Sequence, residues 1–195
     1  MKQIRTVLCI LLICLMAFLL PACSRASKRS GESIDIATLL DGISRYSKFV
    51  EMVNEGIPED LVLTICYMHH DTCTRVPQSA DRLMTVTYDK KVVIGAKELA
   101  ANRESLKKIG FDDLRLYDGG YPVNARLCYE FTTEEGKLLQ VVYSSVGIHT
   151  VNGIPVEYNP GFYEAIIPFL KEEDRTEYDL DAWKEWDAKP GEGLG

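Results

Sequence analysis

The run Cys66-Tyr67-Met68-His69-His70-Asp71-Thr72-Cys73 crowds together the side chains that ligate metals, form disulfides and move protons. Thiolate, imidazole and carboxylate are the ligand types of a tetrahedral zinc site. Here they give a local metal set of His69, His70 and Asp71, flanked by Cys66 and Cys73, with His149 as the one distant histidine. The spacing departs from structural zinc sites, whose cysteines stand about two to four residues apart in paired clusters. A metal-dependent or hydrolytic enzyme built on His69, His70 and Asp71 would also need a nucleophile and an acid to orient its base. Nothing in the spacing supplies them, so no residue is assigned as catalytic and no cofactor is implied.

The cysteines have a second reading. A disulfide needs its two Cα atoms roughly 4.4–6.8 Å apart, and the short segment between Cys66 and Cys73 can fold back that far around the turn-like Asp71-Thr72. Cys66 with Cys128, strand to strand, is an alternative pairing. A third reading leaves all the thiols reduced, with Cys66 a small apolar residue of a strand. Other motifs are weaker. Ser105-Leu106-Lys107-Lys108 matches S-x-x-K by form, but no S-D-N or K-T-G follows it. The chain has no G-x-S-x-G, H-E-x-x-H, P-loop or dinucleotide fingerprint.

What makes a disulfide permissible is the N-terminus. Lys2 and Arg5 precede the apolar run Val7–Leu20, which is short for a span of about 20 residues and has the form of a secretory signal. The run ends in Leu19-Leu20-Pro21-Ala22-Cys23, which resembles a bacterial lipobox; Pro21 is its least usual residue. The resemblance implies cleavage after residue 22 and lipidation of Cys23 by acyl chains such as palmitate. It therefore implies a cell-membrane location, lipid-anchored and facing the extracytoplasmic side. Such a compartment tolerates disulfides. Residues 23–33 then form a polar tether, whose Arg25, Lys28 and Arg29 sit next to the lipid.

Charge narrows the partners. The chain has 22 basic and 29 acidic residues, and cleavage removes Lys2 and Arg5 but no acid. An acidic body is the wrong sign for a nucleic-acid partner.

The elements that must position these residues follow from periodicity. Ile36, Leu39, Leu40, Ile43, Tyr46, Phe49, Val50 and Val53 recur at helical spacing after Asp35, a candidate N-cap, and before Gly56 and Pro58. Leu61–Met68 is apolar on both faces and predicts a central strand. Arg82–Tyr88 and Lys91–Ile94 predict a strand pair turning at Asp89-Lys90. Ala96–Gly110 predicts a helix that buries Leu99, Leu106 and Ile109. Tyr121–Phe131 and Leu138–Val146 predict a hairpin, and Gly147–Tyr158 a second, turning at Asn152-Gly153. Asn159–Leu170 opens a helix that Pro168 limits. This order predicts a single α+β domain, residues 34–170. Its antiparallel sheet would carry an N-terminal, a middle and a C-terminal helix packed mainly on one face.

Residues 171–195 form an acidic tail, with nine acidic and four basic residues. Leu180, Trp183 and Trp186 fall along one face of a short predicted helix. That face either docks on the domain or offers Trp183 and Trp186 to a protein partner. The body of the chain, through Asn124–Phe131, Gly136–Ser144, Val151–Tyr158 and Phe162–Leu170, is similar to uncharacterised lipoproteins of Firmicutes, a resemblance that implies no activity. The sequence thus points to a lipid-anchored, non-catalytic binding or scaffolding module. The loop after Cys66, reaching to Asp81, is the first place to look for a site. The metal-dependent enzyme is one alternative, and an immunity-like or regulatory lipoprotein that blocks another protein is the other.

Overall fold

The computed structural model describes residues 34–69, 72, 74–111, 114–117, 124–144 and 149–175. Cys23, His70, Asp71, Cys73, Trp183 and Trp186 lie outside these residues.

Helix α1 (Ile36–Glu55) starts where the sequence places it, because the Asp35 carboxylate accepts from Thr38 N at 2.9 Å. It closes with Gly56 N donating to Met52 O. Its buried stripe is Gly42, Tyr46, Phe49, Val50 and Val53. Ile36 and Leu40, expected in that stripe, are exposed at 69% and 57%. Leu39, between them, is half-buried against the main core, so the helix turns Ile36 and Leu40 away from it.

Strand β1 (Val62–Tyr67) follows. Next comes a short helix, α2 (Ala80–Arg82), which runs into a π-helical turn at Leu83–Thr87, and then strand β2 (Lys90–Ile94). The strand expected over Arg82–Tyr88 is therefore absent. Ser79 caps the turn instead, its Oγ accepting from Arg82 N at 3.3 Å. Leu83 N donates to Ser79 O, and Thr85 Oγ1 donates to Asp81 O. Thr85, Val86 and Thr87 favour strand by propensity, but burial decides the outcome. Leu83 and Met84 are adjacent in sequence and both buried, which a strand cannot offer to one face. Lys90, expected in a turn, starts β2 opposite Tyr67.

Helices α3 (Ala96–Ala101) and α4 (Arg103–Leu106) split the expected middle helix, and Leu99, Leu106 and Ile109 are buried as predicted. Arg103 at the break donates to the Val53 carbonyl at 2.6 Å and to the Asn54 carbonyl, so it satisfies the end of α1. Strands β3 (Ala125–Thr133) and β4 (Gly136–Ser144) form the first hairpin; β5 (His149–Val151) and β6 (Ile154–Val156) form the second. The second turns at Asn152 (φ 51°) and Gly153 (φ 80°), the left-handed conformation that this dipeptide accommodates. Helix α5 (Pro160–Glu164) is capped by Asn159, a 3₁₀ turn follows at Ile167–Phe169, and α6 (Glu172–Arg175) ends the described chain.

The sheet is antiparallel throughout, in the order β2-β1-β3-β4-β5-β6. The protein is an α+β fold with one main core. Alternate residues of the strands, from Leu63, Ile65 and Tyr67 through Tyr129, Phe131, Val141 and Tyr143, pack under α1, α3–α4, α5 and the 3₁₀ turn. The Phe49 and Phe131 rings meet at 4.6 Å, tilted by 45°, and the Tyr129 hydroxyl donates to Phe162 O. The second face holds a smaller cluster of Cys66, Met68, Ala125, Cys128 and Val142, covered by Leu83 and Met84. No described helix is long and apolar enough to cross a membrane.

Candidate functional site

The cover on the second face is incomplete, and its edge makes a site. One row of register partners crosses the sheet: Lys91, Cys66, Cys128, Val142, Thr150 and Pro155. Leu83 and Met84 roof the Cys66–Cys128 part of that row. Beyond them the row continues through Val142 and Thr150, 1% and 7% exposed, beside Gln140, and an open groove of about 390 Å³ is lined by these residues. Pro77, Ser79, Ala80 and Asp81 form its wall, and Gly153 of the β5–β6 turn stands at its far side.

The wall is fixed by the start of β3. Gln78 is buried; its N–H donates to Asn124 Oδ1 at 3.0 Å and its carbonyl accepts from Ala125 N at 2.8 Å. The Gln78 amide reaches back to the Val76 carbonyl. The exit of the loop before Ser79 is thus stitched to the start of β3, and Pro77 and Ser79 take fixed places beside the groove. The floor is polar at one end. Gln140 Nε2 donates to Glu130 Oε1 at 2.5 Å, and Glu130 also pairs with Lys137.

The chemistry on offer is recognition. Thr150, Gln140 and Asp81 provide a hydroxyl, an amide and a carboxylate, set against the apolar surfaces of Val142, Pro77 and Ala80. Ligand pockets likewise combine apolar lining with a few placed polar groups, which makes this groove a candidate. The Ser79 hydroxyl is committed to its helix cap, and among the described residues no histidine lines the groove.

The residues singled out by sequence are dispersed. His69 is exposed at the exit of β1, its N–H donating to Asp89 Oδ2 at 2.8 Å. His149 is enclosed in the main core, 2% exposed, against Tyr143 at 4.5 Å and Tyr158 at 5.1 Å between ring centroids. Burial lowers its pKa to about 3, so it is neutral at physiological pH. Strands β1 and β5 stand three neighbours apart, roughly 14 Å at about 4.8 Å per strand. An exposed His69 and an enclosed His149 therefore do not form one ligand set. Among the described residues no cluster of histidine, cysteine and carboxylate is arranged to hold a metal. His70, Asp71 and Cys73 lie outside the described residues, as do Cys23, Trp183 and Trp186.

Cys66 and Cys128 are free thiols in the second-face cluster, and burial raises the pKa of both. Ser105, of the formal S-x-x-K match, donates to the carbonyls of Glu164 and Ala165 and so fastens α4 to α5. Sequence reasoning did not single out Gln140, Thr150 or Pro77. Their signal is faint: Gln140 and Thr150 are polar residues at alternate positions of otherwise apolar strands, which read as ordinary solvent-facing positions, and Pro77 is one residue of an irregular loop. The loop reaching to Asp81 does border the groove, through its far end at Pro77–Asp81.

No protein family matches this chain, and comparison with curated proteins and with solved structures likewise finds no match.

Proposed function

We propose that this chain is a lipid-anchored extracytoplasmic protein, held to the cell membrane through acylated Cys23, whose α+β domain is a non-catalytic binding module. The second-face groove is its ligand seat. The observation that carries the binding reading is the half-roofed sheet: Leu83 and Met84 stop short, and Val142, Thr150 and Gln140 are left to floor a groove walled by Pro77–Asp81. The anchoring reading is supported by the order of basic residues, apolar run, Leu20, Ala22 and Cys23. Several acyl chains would hold the chain firmly, since one gives only marginal binding.

Two substitutions test the two halves separately. Cys23→Ser should abolish incorporation of a labelled fatty acid and move the chain from the membrane to the soluble fraction. Retention of label or of membrane association would refute anchoring at this residue. Asp81→Trp fills the groove from its exposed wall. It should leave folding and membrane association intact and abolish ligand-dependent thermal stabilisation by envelope extract. Stabilisation equal to that of the parent would refute the groove as the seat.

A further inference from the structure

We infer that Cys66 and Cys128 are a disulfide-forming pair, closed across the centre of the sheet as the exported chain folds. The inference rests on the export reading for its oxidising compartment and on the sheet register for its geometry. Cys66 and Cys128 are direct cross-strand partners in β1 and β3. Met68 N donates to Arg126 O at 3.0 Å, so the neighbouring pair Met68–Arg126 is a hydrogen-bonded one. Because such pairs alternate along antiparallel strands, Cys66–Cys128 is hydrogen-bonded as well, with Cα atoms about 5.5 Å apart. That separation lies within the disulfide range of roughly 4.4–6.8 Å.

The side chains agree with the backbone. Both thiols project to the second face and meet in one cluster, each 0% exposed, beneath Leu83 and Met84. The Cys66 thiol lies 3.8 Å from the Met84 carbonyl, so a rotation toward Cys128 gives up one weak contact. Cys73 is not a competitor on equal terms, since Cys66 already has a partner fixed by register.

The reaction is an exchange. The Cys66 thiolate attacks one sulfur of a small-molecule or protein disulfide and expels its first thiolate. The Cys128 thiolate then attacks Cys66 Sγ and expels the second. The two cysteines lose two electrons and two protons, and the co-reactant leaves as two thiols. Burial places this step before the roof closes, because the enclosed thiols have raised pKa values and no access. The finished bond would lie beside the groove on the same face of the sheet, since Cys128, Val142 and Thr150 continue one row.

Peptide mapping tests this in two arms. In the first, full-length protein is purified in detergent from cells lysed into a thiol-blocking reagent. In the second, the same protein is reduced, unfolded and refolded with glutathione disulfide before blocking. In both, the Cys66 peptide should appear joined to the Cys128 peptide, with a mass loss of about 2 Da, and Cys73 should carry the blocking group. Refolded protein with Cys66 joined to Cys73, or with all three thiols blocked, overturns the pair. A bond that forms on refolding while cellular protein is blocked at all three positions upholds the pair and overturns the export reading.

Discussion

Asn152 of the β5–β6 turn is fastened to Gly42 of α1: its Nδ2 donates to the Gly42 carbonyl at 3.0 Å. The same amide reaches the Leu138 carbonyl at 3.2 Å, and Asn152 Oδ1 accepts from Gln140 N at 2.8 Å. One buried turn residue thus joins the second hairpin, β4 and the first helix. The approach is close, since a Cβ at position 42 would stand 2.7 Å from Ile154 Cδ1.

Asn152→Gly keeps the positive φ and removes the side-chain bonds. It should cost about 2–3 kcal/mol in urea unfolding, because buried carbonyls and an N–H lose their partners. Asn152→Asp should cost more. It retains the acceptor for Gln140 N but points a carboxylate at two carbonyl oxygens. Gly42→Ala should cost about 1–3 kcal/mol by overpacking against Ile154. A neutral Asn152→Gly would show that the turn is held by its backbone alone.

His149 makes stability pH-dependent. Burial holds its folded pKa at about 3, below the ordinary 6.5. Below pH 6.5 the unfolded chain takes up a proton that the folded chain refuses. Stability from this group is therefore complete above about 6.5 and falls as pH drops toward about 3, at about 1.4 kcal/mol per pH unit. His149→Gln should flatten the difference between pH 6.5 and pH 4 in urea midpoints. Equal pH slopes in parent and variant would mean that His149 titrates normally and is not enclosed.

Lys90 and Asp174 tie the end of the described chain to the edge strand. Asp174 is 2% exposed and pairs with Lys90, whose ammonium also lies 5.9 Å from the centre of the Tyr67 ring. Burial alone would raise the Asp174 pKa, but hydrogen bonds from Lys90 and Tyr67 prevail and lower it. Lys90→Met strands a buried carboxylate and should cost about 1–3 kcal/mol. Asp174→Asn should cost less, since half-exposed Lys90 can turn to water. A reversed order in thermal unfolding would contradict the burial of Asp174.

Local signals were legible wherever one residue type decides the outcome. Asp35 and Gly56 bound α1, Asn152-Gly153 set the second hairpin, and the alternation of β3 and β4 predicted their pairing. The miss at Arg82–Tyr88 has a tertiary cause. Thr85-Val86-Thr87 looks like strand, but the cluster around Cys66 and Cys128 needs two adjacent apolar side chains over it, and a helical turn delivers Leu83 and Met84. Ile36 and Leu40 fit the helical period yet are exposed while Leu39 between them packs on the core, a distinction that periodicity cannot contain. The site was harder. His149 has the chemistry of a ligand, and only the sheet register shows it facing Tyr143 in the core. The groove joins Pro77–Asp81 to Thr150, far along the chain, and no local pattern links them.

The central claim, that the half-roofed second face is the binding surface, is tested most directly by photo-crosslinking in the native envelope. A photoreactive amino acid is placed at Thr150 on the groove floor and, in a control, at exposed Val93 of β2. The account predicts a discrete adduct from position 150 that is absent from position 93 and is lost when Ala80→Trp narrows the groove from its wall. Equal labelling from both positions, or an adduct at 150 that survives Ala80→Trp, would contradict it.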